Sequence, residues 1–201
     1  MTARPPSLPA CQSALDHQPT VVGHRNLVAK RWAWLILVVC LTAMSVYAGV
    51  GQSLRKLVGL TLVSLCLYPL LLWATALALH RTRRVAAILE TYPWRAYPCE
   101  FPRRTGESPK VIMIRFSDDH APVLRFTPFS VNLAQKQNPQ PDTIWFAGDP
   151  RFGGVVSPVG GHFPVRVVPE APVGPIPDGS PEDDALAERA GLITGGKVHR
   201  T

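Results

Sequence analysis

Two apolar runs lie almost back to back near the start of this 201-residue chain, and they limit what the rest of it can be. From Trp32 to Leu54 there are 23 residues without a charge, and Leu57 to Leu79 supplies another 23. About 20 apolar residues cross the hydrocarbon core of a bilayer, so each run is long enough to span it with some tilt. The remaining chain is too short to bury both as core helices of a soluble protein. A cleaved signal peptide is the other reading of the first run, with Val46-Tyr47-Ala48 as a small-residue cleavage site; the 31-residue leader favours a retained anchor. Residues 31–80 are therefore expected to form a two-helix transmembrane hairpin.

Orientation follows from Lys and Arg near the span ends. Arg25, Lys30 and Arg31 precede the first run and Arg81, Arg83 and Arg84 follow the second, whereas the connection holds only Arg55 and Lys56. Six against two predicts a multi-pass protein of the cell membrane with both termini in the cytoplasm. Trp32, Trp34 and Trp73 fall toward the cytoplasmic ends, where indoles favour the headgroup level. Neither run contains Asp, Glu, Lys, Arg or His, which argues against a transporter or channel, because such pathways place ionisable groups at membrane depth. Pro69 predicts a kink in the second helix. Ser45-x-x-x-Gly49 and Ala74-x-x-x-Ala78 offer small residues for helix packing, hence a homo-oligomer or a protein partner held through the transmembrane helices.

Outside the runs the chain is punctuated by most of its 21 prolines, about twice the usual share of roughly 5%. Residues 1–30 show no apolar period and read as a disordered tail. Val85, Ile88, Leu89 and Tyr92 fall at i, i+3, i+4 and i+7, which predicts a juxtamembrane helix over 81–92 ending at Pro93. Its stripe either packs on the soluble domain, the favoured reading, or lies on anionic lipid. The segment Tyr92-Pro93-Trp94-Arg95-Ala96-Tyr97-Pro98-Cys99-Glu100-Phe101-Pro102 reads as an extended strap whose aromatics cap a core or form a belt at the membrane surface.

The period then changes to that of strands. Val111–Phe116 and Val123–Phe126 flank a Ser-Asp-Asp-His-Ala-Pro connection as a hairpin. A polar loop over 132–142 follows, then strands at Thr143–Ala147, Phe152–Ser157 and Phe163–Val168, with a bulge expected at Gly153-Gly154. Five to six strands over 93–168 predict a small, mainly-β cytoplasmic domain, a curved sheet or small barrel. Residues 169–201 form a Pro-rich acidic tail. In it, Ser180 caps a short helix over 181–190 with Glu182, Asp183 and Asp184 at the positive end of its dipole, a helix too short to be stable alone.

Residues 81–168 carry 12 Lys/Arg against 7 Asp/Glu and residues 169–201 carry 3 against 6, so the basic part adjoins the apolar runs. The positive charges are not clustered as a groove-binding helix requires, and no nucleic-acid partner is expected. Cys11, Cys40, Cys66 and Cys99 share no metal-ligand or redox spacing, which predicts free thiols and no metal site. No cofactor is expected either.

Two segments concentrate chemistry. In Ser117-Asp118-Asp119-His120, the residues Asp119 and His120, joined by His162 or Glu100, could bind a metal or another ligand or serve as acid and base; a solvated hairpin turn is the simpler reading. In Gly148-Asp149-Pro150-Arg151-Phe152-Gly153-Gly154, the amides of Gly153 and Gly154 with the Arg151 guanidinium could cradle an anion. The simpler reading there is a tight turn with a bulge and an exposed Arg151. The segment lacks the Lys-Ser/Thr of a P-loop and precedes a strand. No residue is singled out as catalytic.

The order of two spans, an Arg-rich exit, a Tyr-Pro-Trp strap and then Trp-Phe-Ala-Gly-Asp-Pro-Arg-Phe-Gly-Gly-Val-Val resembles a group of uncharacterised bacterial two-span membrane proteins with a small soluble β-domain. The resemblance covers roughly residues 32–168, and it implies no activity and no functional residues. The expected function is a membrane anchor presenting a β-domain for partner binding or membrane assembly. The alternative is a membrane-bound enzyme or binding protein for a phosphorylated or lipid-derived small molecule.

Overall fold

The computed structural model describes residues 12–49, 54–101, 111–118, 120–127, 133, 138–170 and 179–193. They form two compact units, one from residues 25–83 and one from the flanking residues 1–24 and 84–201.

The first unit is helical. Helix α1 runs Gln18–Gly49 and helix α2 runs Leu54–Thr91, the latter continuous through Pro69. Within α1 the stretch Gln18–Met44 is long and apolar enough to cross a membrane, and none of its most apolar window is buried by protein. Trp34, Ile36 and Met44 are 68%, 57% and 70% exposed, a surface that water disfavours and lipid accepts. Arg31 donates from Nη1 to the Thr82 hydroxyl at 2.6 Å and to the Ala78 carbonyl, joining the two helices.

The start of α1 corrects the sequence expectation. The sequence predicts a disordered tail through residue 30, yet Ala14–Asp16 form a single 3₁₀ turn and α1 is helical from Gln18. The cause is tertiary. Ala14 is fully buried and its N–H donates to the Tyr92 carbonyl at 3.0 Å, while the hydroxyl of buried Thr20 accepts from the Trp94 indole N–H at 3.0 Å. Apart from Leu15, these anchors are small or polar residues that give no apolar period to read.

The second unit is a closed antiparallel barrel of six strands: β1 (Arg95–Glu100), β2 (Val111–Ile114), β3 (Val123–Thr127), β4 (Thr143–Asp149), β5 (Gly153–Pro158) and β6 (Val165–Pro169). Their order around the barrel is β1-β2-β3-β6-β5-β4, with β4 returning to β1 through Arg95↔Phe146 to Pro98↔Thr143. Two three-stranded meanders thus close on each other, leaving no sheet edge open. The sixth strand is the expected strap. Its prolines hold it extended, and extended backbone beside an unpaired edge completes the ladder; Arg115 N–H donates to the Pro98 carbonyl at 3.0 Å.

Period-2 alternation divides the side chains. Ile112, Ile114, Leu124, Phe126, Ile144, Phe146, Val156 and Val167 point inward and are essentially inaccessible. Leu133, the one large aliphatic in the expected polar loop, is also fully buried in this core. Each such side chain contributes roughly 1.5–3 kcal/mol. The outward face of β4 and β5 is covered as well. Trp145, Ala147 and Val155 pack with Ala14, Trp94, Val85, Ile88 and Leu89. The α2 stripe therefore packs on the barrel, and the strap's Trp94 caps this second core.

Helix α3 (Pro181–Arg189) closes the same face. Ser180 Oγ accepts from Asp183 N–H at 3.2 Å and the Asp183 carboxylate accepts from Ser180 N–H at 3.1 Å, so both ends of the capping box are closed. Gly191 stops the helix at φ 66°. Ala187 and Ala190 are buried and Leu192 packs beside them, which supplies the tertiary support that nine residues lack alone.

Candidate functional site

The β4–β5 connection is the best-defined polar feature of the barrel. Phe152 N–H donates to the Asp149 carbonyl at 3.1 Å, closing a tight turn, and Gly153 follows at φ 92° and pairs with Asp149. This is a three-residue hairpin loop with its bulge glycine in the left-handed region. A Cβ on Gly153 would meet the Val167 carbonyl oxygen, and one on Gly154 would meet the Ala147 carbonyl oxygen. Both glycines are explained by close backbone approach.

Arg151 corrects the reading of an exposed turn residue. Its side chain is 10% exposed, and its guanidinium donates to Asp149 from Nε at 3.1 Å and from Nη2 at 2.7 Å. Nη1 pairs with Asp184 of α3 at 2.8 Å, and the group lies over the Phe152 ring at 5.0 Å. The hydrogen bond it donates to Asp149 foremost raises its pKa above arginine's ordinary value, so it stays charged. Asp149 Oδ1 also accepts from the Arg151 N–H at 2.8 Å. An incoming anion would have to displace two of the chain's own carboxylates; the cradle is filled from within. Its consequence is mechanical, because this network ties α3 to the barrel.

Beside the network lies an open cleft of about 390 Å³, bounded by the end of α2, the strap, the β4–β5 turn and α3, with Phe146 in its floor. Two polar atoms in its walls have no hydrogen-bond partner among the described residues, Tyr92 Oη and His120 Nε2. Burial, reinforced by Asp149 and Asp183, pushes the Tyr92 phenol up to about 12, so it remains a neutral donor. Arg95 and Asp183 add exposed charges of opposite sign.

His120 enters the cleft because Ser117 and His120 close a small antiparallel bridge, each N–H donating to the other's carbonyl at 3.3 Å. Asp119 lies outside the described residues. His162 is not part of this cleft: it follows β5, where its backbone approaches Gly23, whereas Arg151 precedes β5. Six strand residues separate their positions, a distance on the order of 17–20 Å. His120 is thus not joined by His162, whereas His120 and Arg151 both line the cleft. Sequence reading also missed Tyr92 and Asp184, which took part only as an apolar stripe residue and a helix-start acid.

Cys99 is buried, with its Sγ 3.7 Å from the Pro141 carbonyl, and burial pushes its thiol up to about 12. That removes thiolate character near neutral pH. Among the described residues no three His, Cys, Asp or Glu are grouped to hold a metal ion, and no hydrogen bond links the Ser117 hydroxyl to the His120 ring as a nucleophile–base pair requires. No family model, curated protein or solved structure matches this chain. Its chemistry must be argued from its own geometry.

Proposed function

We propose that this chain is a membrane-anchored binding module. In this reading α1 and the apolar stretch Leu57–Leu79 of α2 cross the bilayer as a hairpin, both termini are cytoplasmic, and the barrel engages a protein partner through the cleft bounded by α2, the strap and α3. The observation that carries the reading is a filled barrel beside a cleft whose arginine is already neutralised by the chain's own carboxylates. The interior is occupied by aliphatic and aromatic side chains; of the candidate residues, His120 and Arg151 line the cleft, Arg151 already paired with Asp149 and Asp184, and His162 stands at the other end of β5. What the cleft does offer is recognition: an apolar floor, two unpartnered hydrogen-bonding groups and two charges, the makeup of a pocket that holds a partner's side chain.

The test is photo-crosslinking in intact membranes from a light-activated residue at Arg95, comparing otherwise wild-type protein with Leu186→Trp, which fills the cleft. A specific adduct lost in Leu186→Trp supports the reading. An adduct unchanged by that substitution, or none above a control site on exposed Arg125, refutes it. The unpartnered Nε2 of His120 favours a second reading, capture of a phosphorylated or lipid-derived small molecule in the same cleft. Under that reading a soluble ligand raises the melting temperature of the wild type but not of His120→Ala.

A further inference from the structure

A second polar feature lies away from the cleft and has the opposite character. On β6, Val165 and Val167 point into the barrel, so the intervening Arg166 points outward. Its cross-strand neighbour on β5 is Val155, which packs against Val85, Ile88 and Leu89 of α2. Arg84 stands one helical turn before Ile88 on that same helix. The barrel and α2 thereby place two half-buried arginines on one side of the barrel, near enough for the charge of Arg84 to act on Arg166, from positions 82 apart in sequence. On the other side of Arg166, β3 presents exposed Arg125 in the diagonal position, since Thr127 pairs with Arg166 and Arg125 with Val168.

Among the described residues no carboxylate pairs with Arg84, Arg125 or Arg166. Two other arginines of the barrel do have carboxylate partners, Arg151 with Asp149 and Asp184 and Arg115 with Glu100. Here burial first, and then the charge of Arg84, lowers the pKa of Arg166, the signature of a cation desolvated next to another cation. Like charges at such a site cost stability unless an anion joins them, and two guanidinium forks fit the oxygens of one phosphate.

The position along α2 specifies the source of that anion. Arg84 is five residues beyond Leu79, the end of the apolar run, which is about 7.5 Å along a helix. A residue that far past the hydrocarbon boundary stands at headgroup depth, and Arg81 and Arg83 add charge at the same level. We propose that Arg84 and Arg166 form a two-arginine site for the phosphate of an anionic phospholipid, bridging the membrane-exit end of α2 to strand β6, with Arg125 as a flanking cation. This rests on the reading of α2 as membrane-spanning. It gives the barrel a preference for an acidic leaflet surface.

The test uses the full chain in a neutral detergent, its thermal melt followed by tryptophan fluorescence during titration with phosphatidylglycerol, phosphatidylcholine or inorganic phosphate. Wild type is expected to rise by about 5 °C at saturating phosphatidylglycerol and not with phosphatidylcholine. Arg166→Gln and Arg84→Gln should each lose most of that rise. Without added lipid, both variants should melt no lower than wild type, because removing either charge relieves the repulsion; a merely structural arginine would instead lower the baseline. Equal responses to phosphatidylglycerol in wild type and both variants would overturn the site. A rise with inorganic phosphate at millimolar concentration and none with lipid would overturn the lipid source and identify a soluble phosphate as the ligand. Extraction of native membranes with alkaline carbonate separates the two levels: release of the protein refutes the anchor itself, whereas retention without a lipid response refutes only this site.

Discussion

Replacing Arg151 by methionine isolates the energetics of the network that fastens α3. The substitution keeps much of the aliphatic stem but removes the guanidinium that lies over Phe152 and pairs with Asp149, whose side chain is only 6% exposed. A buried carboxylate left without its cation costs about 3–5 kcal/mol. The pair to Asp184 adds under about 1 kcal/mol, because that partner is 37% exposed and screened by water. At about 2–4 °C per kcal/mol for a chain of this size, the melting temperature should fall by roughly 10 °C. The assay is tryptophan fluorescence of the full chain in mild detergent, with Trp94 and Trp145 reporting on the second core. Asp184→Asn should cost no more than about 3 °C. The double variant Arg151→Met with Asp149→Met should recover part of the loss, because no charge is then left unpaired. A single variant that melts within about 2 °C of wild type, or a double whose loss equals the sum of the singles, would refute the buried-pair argument.

Gly153→Val should destabilise by at least about 1–3 kcal/mol from positive φ alone, with the clash at the Val167 carbonyl added; a Gly153→Val protein melting like wild type would contradict the bulge geometry. Cys99 should resist maleimide at pH 8 in folded protein and react in denaturant, as read by mass spectrometry; rapid native labelling would contradict its burial. Burial lowers the pKa of His17 below 6.5, so the neutral ring is the folded form and its contribution is present above that pH and lost as the pH falls through the lowered value. Because His17 stacks edge-on against Trp145 at 5.4 Å, indole emission should drop over that range in wild type and not in His17→Gln. For the proposed topology, a reporter fused after Gln52 should be active only outside the cytoplasm and one after Arg200 only inside; the reverse would overturn the hairpin orientation.

Sequence alone determined the elements that obey a local period or a local rule. The apolar run that became α1, the Val85–Tyr92 stripe, the alternating strands and the Ser180 cap each carry their instruction within a few residues. Tertiary structure decided everything that depended on what those segments meet. The strap became β1 because an open sheet edge lay beside it, and Leu133 became core because its side chain joins the barrel's apolar interior. The 3₁₀ turn and the first turns of α1 form because Ala14 and Thr20 find partners some 74 to 78 residues away, at Trp94 and Tyr92. Arg151 and Asp184 are read locally as a turn residue and a helix-start acid. Only the docking of α3 makes them an ion pair, and only the register of β5 and β6 against α2 brings Arg166 to Arg84. Long-range pairing of charges leaves no periodic trace in a sequence, because it requires one side chain at each end and nothing between them.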